Sequence, residues 1–146
     1  MFVLVVDDSP DDLLLAVKTA RSAGFTEIDA RSSLESAQSW LEKRLQGTLP
    51  LPIAIVVDLD LGLDSGYELL RFRHATPAMS NVQIIVWTQL GDENRQICEL
   101  FGVEFYIPKW KGAEALQEAL QEVSLTGPDS SAPGGTGGLR EALGDS

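Results

Sequence analysis

Two apolar runs without polar interruption, Phe2–Val6 and Ile53–Val57, each stop on an aspartate. A strand that alternates apolar and polar residues has one wet face. A strand that does not alternate is covered on both faces, the situation in a parallel sheet flanked by helices. Helical patterns separate these runs. After the first, Ser9 is placed to cap a helix and Pro10 to open it, with Leu13, Leu14, Val17, Ala20 and Arg21 following at helical spacing up to Gly24.

The rest of the chain repeats the alternation. A short strand is expected near Glu27–Arg31, then a helix capped by Ser33 that carries Ala37, Trp40, Leu41 and Leu45 on its apolar face. Gly47, Pro50 and Pro52 punctuate before the second apolar run, and Gly62 and Gly66 mark the turn after it. Tyr67, Leu69, Leu70 and Phe72 predict a third helix ending before Pro77. A strand follows at Gln83–Trp87, a helix over Asp92–Phe101 closed by Gly102, a strand at Val103–Ile107 and a last helix at Ala113–Val123. Five such alternations predict an α/β fold: a doubly wound, five-stranded parallel sheet with helices on both faces. Right-handed crossovers reduce the topology to a few arrangements.

Sheets of this kind bind ligands outside the carboxyl ends of their strands. The polar residues fall there. Asp7 and Asp8 follow the first strand, Asp58 and Asp60 the third, Thr88 the fourth and Lys109 the fifth. Each has an ordinary reading alone: an Asp pair caps a helix, a threonine sits in a turn, a lysine covers surface. Four polar positions on one sheet edge are harder to explain as caps. Clustered carboxylates repel and call for a compensating cation, and hard oxygen donors suit Mg2+. A Mg2+ ion on Asp8 and Asp58, with Asp7 one shell out, would also neutralise an incoming phosphoryl group. An Asp carboxylate can be the nucleophile that forms an aspartyl phosphate. Lys109 offers fixed positive charge and Thr88 a hydroxyl for a phosphoryl oxygen.

The 146 residues suit one domain. It is expected over residues 1–124, followed by a flexible Gly/Pro/Ser-rich tail or linker over 125–146, in which Leu139–Leu143 could begin a short helix. Eleven Lys and Arg against 22 Asp and Glu leave a net charge of −11, which argues against direct nucleic-acid binding. No apolar run is long enough for a membrane span and no leader pattern opens the chain. The single cysteine, Cys98, cannot form an intramolecular disulfide and fits a reducing, cytoplasmic setting as a buried small hydrophobe. His74, the single histidine, reads as solvated, and Trp40 and Trp87 read as core.

Val5-Val6-Asp7-Asp8-Ser9, Val56-Val57-Asp58, Gly66, Thr88, Tyr106 and Lys109 together resemble the response-regulator receiver family of two-component signalling, at that family's spacings. The resemblance runs from residue 1 to about 124. It implies a flavodoxin-like sheet of order 2-1-3-4-5. It implies that Asp58 is the phosphoacceptor, Asp8 the direct metal ligand, Asp7 the water-mediated one, and the Asp60 backbone carbonyl a further metal ligand. Lys109 would contact the phosphoryl group, Thr88 would be the switch hydroxyl, and Tyr106 the aromatic that changes rotamer with it. The implied cofactor is Mg2+. The implied partners are a sensor histidine kinase or phosphotransfer protein, a downstream target protein, and a second copy through the fourth helix, fifth strand and fifth helix. The implied chemistry is self-catalysed phosphotransfer and dephosphorylation, not enzymatic turnover. Leu90 would shield the phosphoaspartate from water.

Three positions depart from the family. Pro108-Lys109-Trp110 places no proline after the lysine, where members often carry a cis bond. Gly62 stands where many have proline, and Gln89 where a small residue usually follows the threonine, so Gln89 could narrow access to Asp58. Two other functions compete. Asp58-Leu59-Asp60 mimics the nucleophile and acid of haloacid-dehalogenase-type phosphatases, but those follow the first strand and leave the early Asp pair unexplained. A binding module that acts without phosphorylation would share the fold but not need the carboxylates and Lys109.

Overall fold

A computed structural model describes residues 1–126 of the chain. The strands of the main sheet are β1 (Val3–Val6), β2 (Ile28–Arg31), β3 (Ala54–Val57), β6 (Gln83–Thr88) and β7 (Phe105–Pro108); between β3 and β6 lies a small antiparallel hairpin, β4 (Asp60–Leu61) with β5 (Asp64–Ser65). All main-sheet pairings are parallel, in the order β2-β1-β3-β6-β7. Counting the five long strands alone, this is the expected 2-1-3-4-5. The helices are α1 (Pro10–Ser22), α2 (Leu34–Gln46), α3 (Tyr67–His74), α4 (Arg95–Leu100) and α5 (Ala113–Leu125). The expected tail and the helix at Leu139–Leu143 lie outside the described residues.

Strand alternation builds the two layers. Val3, Val5, Val56, Ile85, Phe105 and Ile107 face α1 and α5, packing on Ala16, Ala20, Leu116 and Leu120. Leu4, Val6, Ile55, Val57, Ile84 and Val86 face the other way, onto Leu41 of α2, Leu69 and Leu70 of α3 and Cys98 of α4. Both faces of β1 and β3 are fully buried, which is why their sequences carry no polar alternation. Ser9 and Ser33 cap α1 and α2 as expected, accepting hydrogen bonds from the N–H groups of Asp12 and Ser36.

Four local features differ from expectation. The fourth helix is short: Asp92–Asn94 form a 3-10 turn and α4 covers only Arg95–Leu100, because Cys98 is its one buried residue while Ile97 and Leu100 face solvent. A helix with so narrow an apolar stripe gains little from extension. The fifth long strand starts at Phe105 and not Val103, since the Val103 N–H is still engaged with the Cys98 carbonyl at the helix exit. The fourth runs on through Thr88, which pairs with Pro108. The hairpin after Asp58 was not expected. Gly62 at its tip has φ +72°, and at Gly66 an added Cβ would collide with the Asp58 carbonyl, so glycine there lets the chain fold back against the aspartate's own backbone.

One buried cation ties the lower edge together. Arg73, at the end of α3, is 7% exposed and donates to the carbonyls of Val82 (2.7 Å), Phe101 (3.1 Å) and Gly102 (2.8 Å), with Glu104 at 3.5 Å. Glu104 also accepts from the Ile84 N–H at 2.7 Å. This links the starts of β6 and β7 to the exits of α3 and α4.

Candidate functional site

The strand ends bring Asp7, Asp58, Thr88 and Lys109 into mutual contact at the carboxyl edge of the sheet. Each is delivered by the residue run before it. Asp7 and Asp58 follow neighbouring strands paired in register, Val6 opposite Val57. Thr88 closes the next strand, and Lys109 follows the last strand in a 3-10 turn over Lys109–Lys111.

Asp58 is 6% exposed. Its Oδ1 accepts from the Thr88 hydroxyl at 2.6 Å and from the Asp60 N–H at 3.1 Å, and its Oδ2 accepts from Lys109 Nζ at 2.9 Å. Asp7, also buried, accepts from the Ser9 N–H at 3.0 Å and from Lys109 Nζ at 2.8 Å. Burial pushes the Asp7 carboxyl above its ordinary range and the nearby Asp58 charge adds to this, while the Lys109 and Ser9 hydrogen bonds pull it down. Burial alone would lower Lys109, but its hydrogen bonds to Asp12, Asp7 and Asp58 outweigh that and raise it. The ammonium is therefore a fixed cation at any ordinary pH. Its Nζ also sits 5.0 Å from the centre of the Trp87 ring, a cation–π distance.

Asp12 was not anticipated. It contributes the shortest of the three Lys109 contacts, 2.7 Å from Nζ. An acid in the first turn of a helix is favourable there for electrostatic reasons alone, so its sequence position carried no separate signal. The only hint was its place on the helix that starts at the Asp7–Asp8 cluster.

The remaining predicted residues fall around this centre. Asp8 and Asp60 are exposed at its rim. The Asp8 Oδ2 lies 3.2 Å from the point a Cβ on Gly62 would occupy, so a side chain there would crowd that carboxylate. In kind, the donors suit a hard divalent ion: carboxylates of Asp7, Asp8 and Asp58 with room beside Gly62. In arrangement, no group of three or more His, Cys, Asp or Glu among the described residues is set to hold a metal ion, and Oδ2 of both Asp7 and Asp58 is turned to Lys109. Tyr106 is fully buried, and its hydroxyl donates to the Gly91 carbonyl at 2.7 Å, with the Leu90 carbonyl at 3.3 Å. Burial, with like-sign neighbours, pushes that phenol up to about 12. The Leu90 N–H donates back to the Thr88 hydroxyl at 3.3 Å, so Asp58, Thr88, the Leu90–Gly91 segment and Tyr106 form one hydrogen-bonded path.

The departures from the family motif are also visible. There is no cis peptide bond among the described residues, and Trp110 stands 79% exposed. A cavity of about 480 Å³ beside Lys109 is lined in part by Asp12, Trp87, Gln89 and Trp110. Gln89 is exposed on that wall. Cys98 is buried and free, and Trp87 is buried with its indole N–H lacking a partner. Trp40 is half-buried, edge-on to Phe2. His74 lies edge-on to Phe101 at the far end of α3, well away from the carboxylates.

No family model matches the sequence, and no curated protein matches it. Solved structures do match. The chain is similar to the signal receiver domain of a DNA-binding response regulator from Colwellia psychrerythraea, at 17% identity, over 86% of this chain and 98% of that one, with a TM-score of 0.73. It is similar to the chemotaxis response regulator CheY4 of Vibrio cholerae, at 22% identity over 84% and 97% with a TM-score of 0.71. It is also similar to the Mn2+-bound response regulator Rcp1, at 19% identity over 91% and 96% with a TM-score of 0.69. The chain has the flavodoxin-like fold of response-regulator receiver domains.

Proposed function

We propose that this chain is a two-component receiver domain over residues 1–124, which takes a phosphoryl group on Asp58 and reports it through Thr88 and Tyr106. The observation that carries this reading is the environment of Asp58: a buried carboxylate with Lys109 on one oxygen and the Thr88 hydroxyl on the other. A structural carboxylate needs only partners. This one has a cation and a hydroxyl suited to the oxygens of a transferred group, at the edge where parallel sheets bind ligands.

In the proposed transfer, a lone pair of an Asp58 carboxylate oxygen forms the new O–P bond. The bond from phosphorus to the donor breaks, and its electron pair leaves with the donor. Lys109 and the Thr88 hydroxyl then hold phosphoryl oxygens. Asp8 and Asp58, with Asp7 through water and the Asp60 backbone carbonyl, would hold Mg2+. When bound, that ion supplies charge neutralisation for the phosphoryl oxygens. Drawing Thr88 onto the phosphoryl group pulls on the Leu90 N–H, and Tyr106, now inward on Gly91, stabilises or releases the β6–α4 loop accordingly. Leu90, 37% exposed, would shield the acyl phosphate from water.

The donor would be a sensor histidine kinase or phosphotransfer protein and the reader a target protein. The α4–β7–α5 face, with Ile97, Leu100 and Leu125 exposed around it, could also take a second copy of the chain. The activity is phosphoacceptance without enzymatic turnover. The proposed setting is cytoplasmic; no helix among the described residues is long and apolar enough to cross a membrane. A second reading, a module that binds without phosphorylation, draws support from the exposed Trp110.

Incubation with acetyl phosphate and Mg2+, followed by intact-mass measurement, separates the two. One phosphoryl mass on the native chain, dependent on Mg2+ and absent from Asp58→Asn, is the expected result. An unlabelled native chain under conditions that label another receiver would favour the second reading.

A further inference from the structure

We infer that Asp12 is a positioning residue that aims Lys109, and that this chain uses it where the proline after the lysine is missing. The inference rests on the receiver reading for its chemical meaning. Its geometric part stands on the contacts alone.

An ammonium has three N–H donors. On Lys109 all three find carboxylates: Asp7 at 2.8 Å, Asp12 at 2.7 Å and Asp58 at 2.9 Å. These partners are not equivalent. Asp7 and Asp58 are the groups that the proposed chemistry redirects, toward a cation or a phosphoryl group. Asp12 has neither duty, and its carboxylate can stay on the lysine throughout. It is also well placed to act as a fixed post. Its backbone N–H is held by the Ser9 cap, and it lies on the first turn of a helix of 13 residues whose inner face is packed on the sheet.

The loop that carries Lys109 provides little aim of its own. It is a three-residue 3-10 turn between Pro108 and Gly112, with every described peptide trans, and Trp110 projects into solvent instead of packing beneath it. A lysine side chain has four rotatable bonds and costs entropy to fix. Among the described residues, two contacts outside the Asp7–Asp58 pair restrain it: the Asp12 carboxylate and the face of Trp87. Of these, only Asp12 is directional and charge-assisted. Without it, Nζ would be held by the same two carboxylates from which it must shift when a phosphoryl group arrives.

The test compares Asp12→Ala, Asp12→Glu and the native chain with two readouts. The first is the initial rate of Asp58 labelling by acetyl phosphate and Mg2+. The second is the 1H–15N signal of the Lys109 ζ-ammonium, assigned by its loss in Lys109→Arg and needing no phosphorylation. Misplacing a positioned group by a small distance costs up to about a hundredfold; a rate loss of about tenfold is expected for Asp12→Ala, with broadening of the ammonium signal and recovery of both in Asp12→Glu. An unchanged rate and signal in Asp12→Ala would overturn the inference. So would an equal loss in Asp12→Glu with the ammonium signal intact, which would mark a structural role. If the native chain is not labelled at all, the receiver reading fails separately, and an ammonium signal indifferent to Asp12 would still overturn the positioning role.

Discussion

Lys109 and Arg73 are both cations with side chains less than a tenth exposed, at opposite edges of one sheet, and their surroundings differ in kind. Arg73 is held by three backbone carbonyls and one carboxylate, so its charge is matched one to one. Lys109 is held by three carboxylates, which leaves that cluster with surplus negative charge. A satisfied buried cation fixes structure. A cation outnumbered by its partners is the centre of a site that gains from a further positive charge, and the repulsion among Asp7, Asp12 and Asp58 is partly unrelieved as it stands. Burial of a charge does not by itself mark function; the balance of the charges around it does.

Each cation can be removed in turn. Arg73→Leu strands three carbonyls and the Glu104 carboxylate, and a loss of roughly 3–5 kcal/mol of folding stability is expected. Denaturant melts would show it, with no response to Mg2+. Lys109→Met leaves three neighbouring carboxylates without their cation and should cost about 3 kcal/mol. Here added Mg2+ should recover more stability in the variant than in the native chain, because binding to the folded state adds to its stability. Equal Mg2+ responses in the two would remove the distinction between the edges. Thr88→Val removes the link from Asp58 to Leu90 at a cost of about 1 kcal/mol, and faster amide exchange in the β6–α4 loop should accompany it. Leu90→Asn should accelerate loss of the phosphoryl group, followed by mass after removal of the donor.

A separate effect concerns Cys98, whose thiol burial pushes from an ordinary 9.0 up to about 11. The neutral thiol is the favoured folded form. Its contribution to stability is therefore complete below pH 9 and is lost as pH rises toward 11. At pH 8 alkylation of the native chain should run roughly a hundredfold slower than that of the unfolded chain, from thiolate fraction alone.

How much of this was legible in the sequence follows the same divide. The sheet and the convergence of Asp7, Asp58, Thr88 and Lys109 could be read because each polar residue ends an apolar run, and strand ends of a parallel sheet share an edge. Arg73 could not. A basic residue in the last turn of a helix is ordinary, and its burial comes from Val82, Phe101 and Gly102, which are distant in sequence. Asp12 was hidden for the mirror-image reason, an acid in a first turn. The hairpin at Asp60–Ser65 and the shortness of α4 depend on packing that periodicity does not encode. The metal-suited carboxylates were identified by type, while the orientation of Asp7 and Asp58 toward Lys109 was not.

Of the carboxylates gathered around Lys109, Asp58 is the one proposed to accept the phosphoryl group. Borohydride reduction after acetyl phosphate and Mg2+ treatment converts an aspartyl phosphate to homoserine, and peptide mass mapping locates it. Homoserine is expected in place of Asp58 and nowhere else. Reduction at Asp7, Asp8 or Asp12, or at no aspartate of a chain treated alongside a labelled receiver, would contradict it.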